Sequence, residues 1–67
     1  MTVNSTQRKI IHTLDDAGID RISIAGIMCD LTENKLNEED FLDYIKDKKD
    51  LCIEDCTDKL WDMAGYY

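Results

Sequence analysis

Residues 36–49 read LNEEDFLDYIKDKK and carry the clearest helix pattern in the chain. Asn37 is a strong N-cap, and Leu36 before it is placed to pack on Phe41, the fourth helical residue. Acidic residues fill the first turn and lysines fill the last, so both ends complement the helix dipole. We therefore predict a helix that begins after Asn37. Its predicted buried stripe is Phe41, Leu42 and Ile45.

A first helix is predicted near the N-terminus. Ser5 or Thr6 is its expected N-cap, because both side chains accept hydrogen bonds from free backbone N–H groups. Gly18 is its expected stop, since glycine readily adopts the left-handed conformation that ends helices. Ile19 after it is placed to fold back onto the last turn. Apolar residues with helical spacing are Ile10, Ile11, Leu14 and Ala17.

A second helix is predicted to begin after a cap at Asp20 or Ser23. Gly26 lies inside it and is expected to mark a close helix crossing, because a mid-helix glycine costs about 1 kcal/mol relative to alanine. The isoleucine-rich stretch 19–27 also fits a strand, but a lone short strand would have no pairing partner. The predicted buried face is Ile24, Ile27, Met28 and Leu31.

A fourth helix follows a break at residues 50–52 and is expected to stop at Gly65. Its apolar positions are Ile53, Cys56, Leu60, Met63 and Ala64. We predict an all-α fold, a small bundle of four short helices that forms one domain over residues 1–67. The order of the first three helices resembles a helix-turn-helix module, with 24–31 as the supporting helix and 38–49 in the recognition position.

Composition and charge narrow the classes of function. The chain has 67 residues, 43% of them apolar, no proline and a net charge of −7. So small a chain has no room for a separate substrate domain, and it is too apolar for an acidic disordered segment. Its charge opposes direct binding to nucleic acid or to an anionic membrane. With no span-length apolar run and an odd number of cysteines, we expect reduced thiols and a cytoplasmic location.

Three cysteines and one histidine are the candidate metal ligands. Cys52 and Cys56 are four residues apart and share a helix face, and Cys29 and His12 would complete a four-ligand zinc shell. The chain lacks the Cys-x-x-Cys spacing usual in structural zinc sites, so we predict no metal and no cofactor, with Cys56 as a small apolar residue on the buried face of the fourth helix and Cys52 near the start of that helix. No nucleophile with an orienting base is evident, and we predict no catalytic residue and no enzyme activity.

The remaining features point to protein binding. The recognition position carries Glu38, Glu39, Asp40 and Asp43, which disfavours contact with DNA bases and phosphates. A domain this small gains little net stability from its core, and association would supplement it. We therefore predict a non-enzymatic interaction or regulatory module that binds a basic or apolar protein surface, or a second copy as a homodimer.

The predicted interface residues lie near the C-terminus. They are Trp61, Tyr66 and Tyr67. Two alternatives stay open: an acidic inhibitor that imitates nucleic acid in the basic groove of an enzyme, and a small cysteine-based metal-binding protein.

Overall fold

The protein is an all-α bundle in a computed structural model that describes residues 4–65. The four helices in this range are α1 (Ser5–Asp16), α2 (Arg21–Glu33), α3 (Glu38–Asp47) and α4 (Ile53–Ala64). The predicted fold class is confirmed. The strand considered for residues 19–27 is wrong, because these residues cap and begin α2. None of the four helices has the length and apolar character needed to cross a bilayer.

The helices pack as two pairs. The most extensive contact is between α1 and α3, followed by α2 on α4, α1 on α2 and α3 on α4. The first helix thus contacts both of the helices that follow it. The consecutive pair α2 and α3 shares few contacts, so residues 34–37 act as a spacer that carries the chain across the bundle.

The core is a single cluster to which every helix contributes. Phe41 of α3 and Ile10 of α1 are fully buried in it, and Leu36 is partly buried against this cluster. Ala17 was predicted on the buried stripe of α1 but is exposed, because it follows the last residue of that helix as its C-cap. The buried apolar residues are Ile10, Leu14, Ile19, Ile24, Ile27, Leu31, Phe41, Leu42, Ile45, Leu51, Cys56 and Leu60.

Side-chain caps fix where α1 and α3 begin. Asn4 caps α1: its Oδ1 accepts a hydrogen bond from the Gln7 backbone N–H at 2.7 Å, and Gln7 Oε1 accepts one from the Asn4 N–H at 3.0 Å. The predicted cap at Ser5 or Thr6 is therefore wrong by one residue or two. Asn37 caps α3 as predicted and accepts from two backbone N–H groups of its first turn.

The start of α2 and the ends of α1 and α4 also agree with the sequence, whereas α3 ends at residue 47, two residues before the predicted end, and only one lysine lies in its last turn. Asp20 caps α2, and hydrogen bonds from the hydroxyl and backbone N–H of Ser23 lower the pKa of its carboxyl group. Gly18 and Gly65 take the predicted left-handed conformation, with φ of +87° and +81°. The predicted return of Ile19 onto α1 is confirmed, since its N–H donates to the Leu14 carbonyl at 3.1 Å.

A charged and aromatic cluster joins α3 to α4. The ammonium groups of Lys48 and Lys59 lie 5.3 and 5.2 Å from the centre of the Tyr44 ring. Lys48 also pairs with Asp55 at 3.6 Å, and its hydrogen bond to Tyr44 together with the Asp55 charge raises the pKa of the ammonium group. These partly exposed contacts join the end of α3 to the start of α4.

Candidate functional site

Helix α2 carries apolar residues on two opposite faces. Ile24, Ile27 and Leu31 are buried against the rest of the bundle. On the other side Ile22 is 85% exposed. Residues three and four positions apart share a helix face, so the exposed Ala25, Gly26 and Cys29 continue from Ile22 along α2. A helix that is apolar on both sides is suited to pack against something on each of them.

An open groove of about 830 Å³ runs between α1 and α2. Its floor is apolar and is made by Ile11, Ile24, Ala25 and Met28. Polar groups that surround a mainly apolar floor are the usual composition of a binding cleft. Apart from the floor, the residues that line the groove are Gln7, His12, Asp15, Arg21, Cys29, Thr32 and Glu33.

Charges mark the two ends of this groove. Asp15 and Arg21 lie at the end where residues 17–20 turn from α1 into α2. Glu33 lies at the other end of α2, next to Thr32. Within residues 4–65 Arg21 makes no ion pair, and Glu33 is paired with no cation. The groove residues of α2 are thus positive at one end and negative at the other, with Asp15 of α1 at the same end as Arg21.

Comparison with protein-family models, curated proteins and solved structures found no match to this chain.

The structure separates the four candidate metal ligands. His12 and Cys29 line the same groove, from α1 and α2. Cys52 is the exposed N-cap of α4, and Cys56 is fully buried in the core. No group of three or more His, Cys, Asp or Glu side chains among the described residues could hold a metal ion.

Each cysteine has a local role that explains its position. Cys29 donates its thiol hydrogen to Glu33 Oε1 at 3.4 Å, and this hydrogen bond raises the pKa of the thiol. Cys52 donates to Asp55 Oδ2 at 3.3 Å, which lowers the pKa of the carboxyl group. Burial raises the pKa of Cys56 to about 11, with a smaller effect from the Asp55 charge. Cys56 therefore acts as a small apolar side chain of the core.

The predicted C-terminal interface lies on a different surface. Trp61 is 53% exposed on α4 and Ile53, at the start of the same helix, is 40% exposed. Tyr66 and Tyr67 lie outside the described residues. The groove does not involve α4, so Trp61 and the groove are two separate surfaces.

The groove was not predicted from the sequence, and the close helix crossing expected at Gly26 is wrong for the described helices. No atom of another helix lies within 4 Å of the place where a Cβ on Gly26 would stand. The sequence did contain one indication, the residues Ile22, Ala25, Gly26 and Cys29, which form a second apolar row at helical spacing.

Proposed function

We propose that this protein is a non-enzymatic helical interaction module whose binding surface is the groove between α1 and α2 together with the exposed face of α2. The observation that carries this proposal is the apolar floor of that groove, beside an isoleucine that is 85% exposed. A short amphipathic helix laid in such a groove would cover both features. The odd number of cysteines and the absence of a disulfide from the described residues support a cytoplasmic location.

Site-specific photocrosslinking in the native cell tests the binding surface. A photoreactive side chain is placed at Thr32 in the groove or at Lys49, an exposed control position beyond α3. We expect a defined adduct from Thr32, none from Lys49, and loss of the Thr32 adduct when Ala25→Arg fills the groove floor. No adduct from Thr32, or an adduct that Ala25→Arg leaves unchanged, would contradict the proposal.

Trp61, with Tyr66 and Tyr67, remains a proposed second contact. A tryptophan that is 53% exposed is a residue type enriched where proteins bind each other. We expect Trp61→Ala to weaken partner recovery if α4 contributes to binding. Unchanged recovery in Trp61→Ala, with loss in Ala25→Arg, would assign the interaction to the groove alone.

A second candidate function is supported by the acidic face of α4. Glu54, Asp58 and Asp62 are exposed and four residues apart, so they form a row along one side of the helix. Such a row suits an inhibitor that occupies a basic nucleic-acid-binding groove. A photoreactive side chain at Thr57, on the same helix, would then give an adduct in cell lysate, and the yield of this adduct would fall steeply between about 50 and 300 mM salt.

A further inference from the structure

The groove between α1 and α2 has a feature that specifies its occupant. Arg21 and Glu33 are the first and last residues of α2, and both line the groove. They are therefore equidistant from Ile27 at the middle of the helix. A surface with opposite charges at equal distances from its centre is complementary to itself after a two-fold rotation.

We propose that the occupant is a second copy of this chain, packed through α1 and α2 with the two α2 helices antiparallel. In this arrangement Arg21 of each copy faces Glu33 of the other. Neither side chain has an oppositely charged partner among the described residues, and each gains one in the dimer. Ala25 of each copy lies opposite Cys29 of the other. This inference rests on the proposed function, because it names the partner of the same groove.

The small residues of α2 favour close approach of the two helices. Ala25, Gly26 and Cys29 are exposed, and the position of a Cβ on Gly26 is open. Small side chains let two helix backbones approach, and Ile22 supplies apolar surface beside them. The crossing that the sequence predicted at Gly26 would then occur between two copies.

A dimer interface of standard size would cover a minor part of each copy. A standard interface takes about 800 Å² from each partner. The total accessible surface is 4859 Å², so the interface would occupy about one sixth of each copy. Because both copies use the same surface, the assembly closes at two.

Sedimentation equilibrium of the purified reduced protein, up to about 0.5 mM, measures the dimer constant. We expect a dimer, and a Kd raised at least about tenfold by Ala25→Arg. Ala17→Arg, the same substitution at an exposed alanine outside the groove, should have little effect. Circular dichroism establishes that each variant is folded.

Charge reversal tests the orientation. Arg21→Glu and Glu33→Arg should each raise the Kd about tenfold, since each places two pairs of like charges together, and the double variant should restore the wild-type value. Lys49→Glu changes the net charge as much as Arg21→Glu does, at an exposed position away from the groove, and should leave the Kd within about twofold. A double variant no better than the single variants would overturn the antiparallel arrangement.

The failure of this inference differs from the failure of the proposed function. A wild-type protein that stays monomeric throughout would overturn the dimer. If Thr32 still crosslinks to a different protein in the cell, the groove remains a binding surface with another occupant. A monomer that also gives no Thr32 adduct would overturn both.

Discussion

Cys56 should be the slowest of the three thiols to react in the native protein. It is fully buried on the inner face of α4, and burial raises its pKa to about 11. Cys52, only one helical turn away, is exposed. The two thiols therefore lie close together in the sequence but differ in burial.

The size of the difference follows from the structure. Near pH 8 a thiol with the ordinary pKa of about 9 is about 10% thiolate, whereas one at about 11 is about 0.1% thiolate. A reagent also reaches a fully buried sulfur only when the domain opens. A stability of about 0.05–0.15 kcal/mol per residue gives about 3–10 kcal/mol for a chain of 67 residues, so opening alone slows the reaction at least about 100-fold.

Timed alkylation with iodoacetamide, read by peptide mass spectrometry, measures each cysteine separately. We expect Cys56 to be modified at least about 100-fold more slowly than Cys52 in the folded protein. In guanidinium the two rates should become similar, because both the burial and the raised pKa are lost. The protein is kept dilute so that it stays monomeric, because the proposed dimer would cover Cys29 and slow its modification.

Modification of Cys56 as fast as Cys52, in protein that retains its native circular dichroism, would refute this reasoning. It would mean that the sulfur is accessible in the folded chain. Cys52 and Cys56 would then have to be reconsidered as a pair of metal ligands.

Three further predictions concern stability. Asn37→Ala should cost about 1 kcal/mol, a fall in Tm of about 4–8 °C, because two backbone N–H groups lose their acceptor, and Asn37→Asp should retain most of that stability. Gly18→Ala should destabilise the protein by about 1 kcal/mol because the φ of Gly18 is +87°. Gly26→Ala in dilute protein should instead stabilise it by about 0.5–1 kcal/mol, because the added Cβ meets no neighbouring element. Equal effects of the two substitutions in thermal unfolding would contradict both assignments. Asp20 has a lowered pKa, so the stability it contributes is present above the ordinary value of 3.8 and is lost as the pH falls through the folded value. Asp20→Asn should flatten this acid dependence in urea titrations, and an unchanged slope would argue against the Ser23 hydrogen bonds.

Helix ends were predictable wherever one residue type fits the position much better than its neighbours. Gly18 and Gly65 stop helices because few other residues take a left-handed conformation cheaply. The start of α1 was predicted one or two residues too late, because Asn4, Ser5 and Thr6 are all good caps. The choice depends on Gln7, which completes the reciprocal hydrogen bonds with Asn4 alone.

Connections without glycine were harder to predict. The chain leaves α2 through Lys35 at φ +52° and approaches α4 through Asp50 at φ +54°. Lys35 takes this left-handed conformation as the residue after the C-cap of α2, where its N–H donates to the Thr32 carbonyl and the Leu36 N–H donates to the Leu31 carbonyl. Neither Lys35 nor Asp50 is a glycine, the residue type that marks most left-handed positions, so the sequence pattern did not indicate them.

The core face of α2 was predicted correctly, but its second face was not recognised. Ile24, Ile27 and Leu31 follow helical spacing, and Ile22, Ala25 and Cys29 do so as well. The helical spacing of apolar residues does not show how many sides of a helix the rest of the chain covers. That depends on α1 and α4 packing on α2 and on α3 packing elsewhere, which is a property of the whole fold.

Ionic strength separates the two proposed functions by the charges that each brings together. A chain of charge −7 that enters a basic groove gains attraction over its whole acidic surface, and added salt weakens that complex steeply. Two copies of the chain instead repel each other at long range, while Arg21 and Glu33 attract only at the rim of the interface. Salt screens the repulsion as well as the two rim pairs and leaves the apolar floor unaffected. The dimer should therefore persist between low and moderate salt, whereas a Thr57 adduct to a basic protein should be lost over that range if the acidic face of α4 binds it.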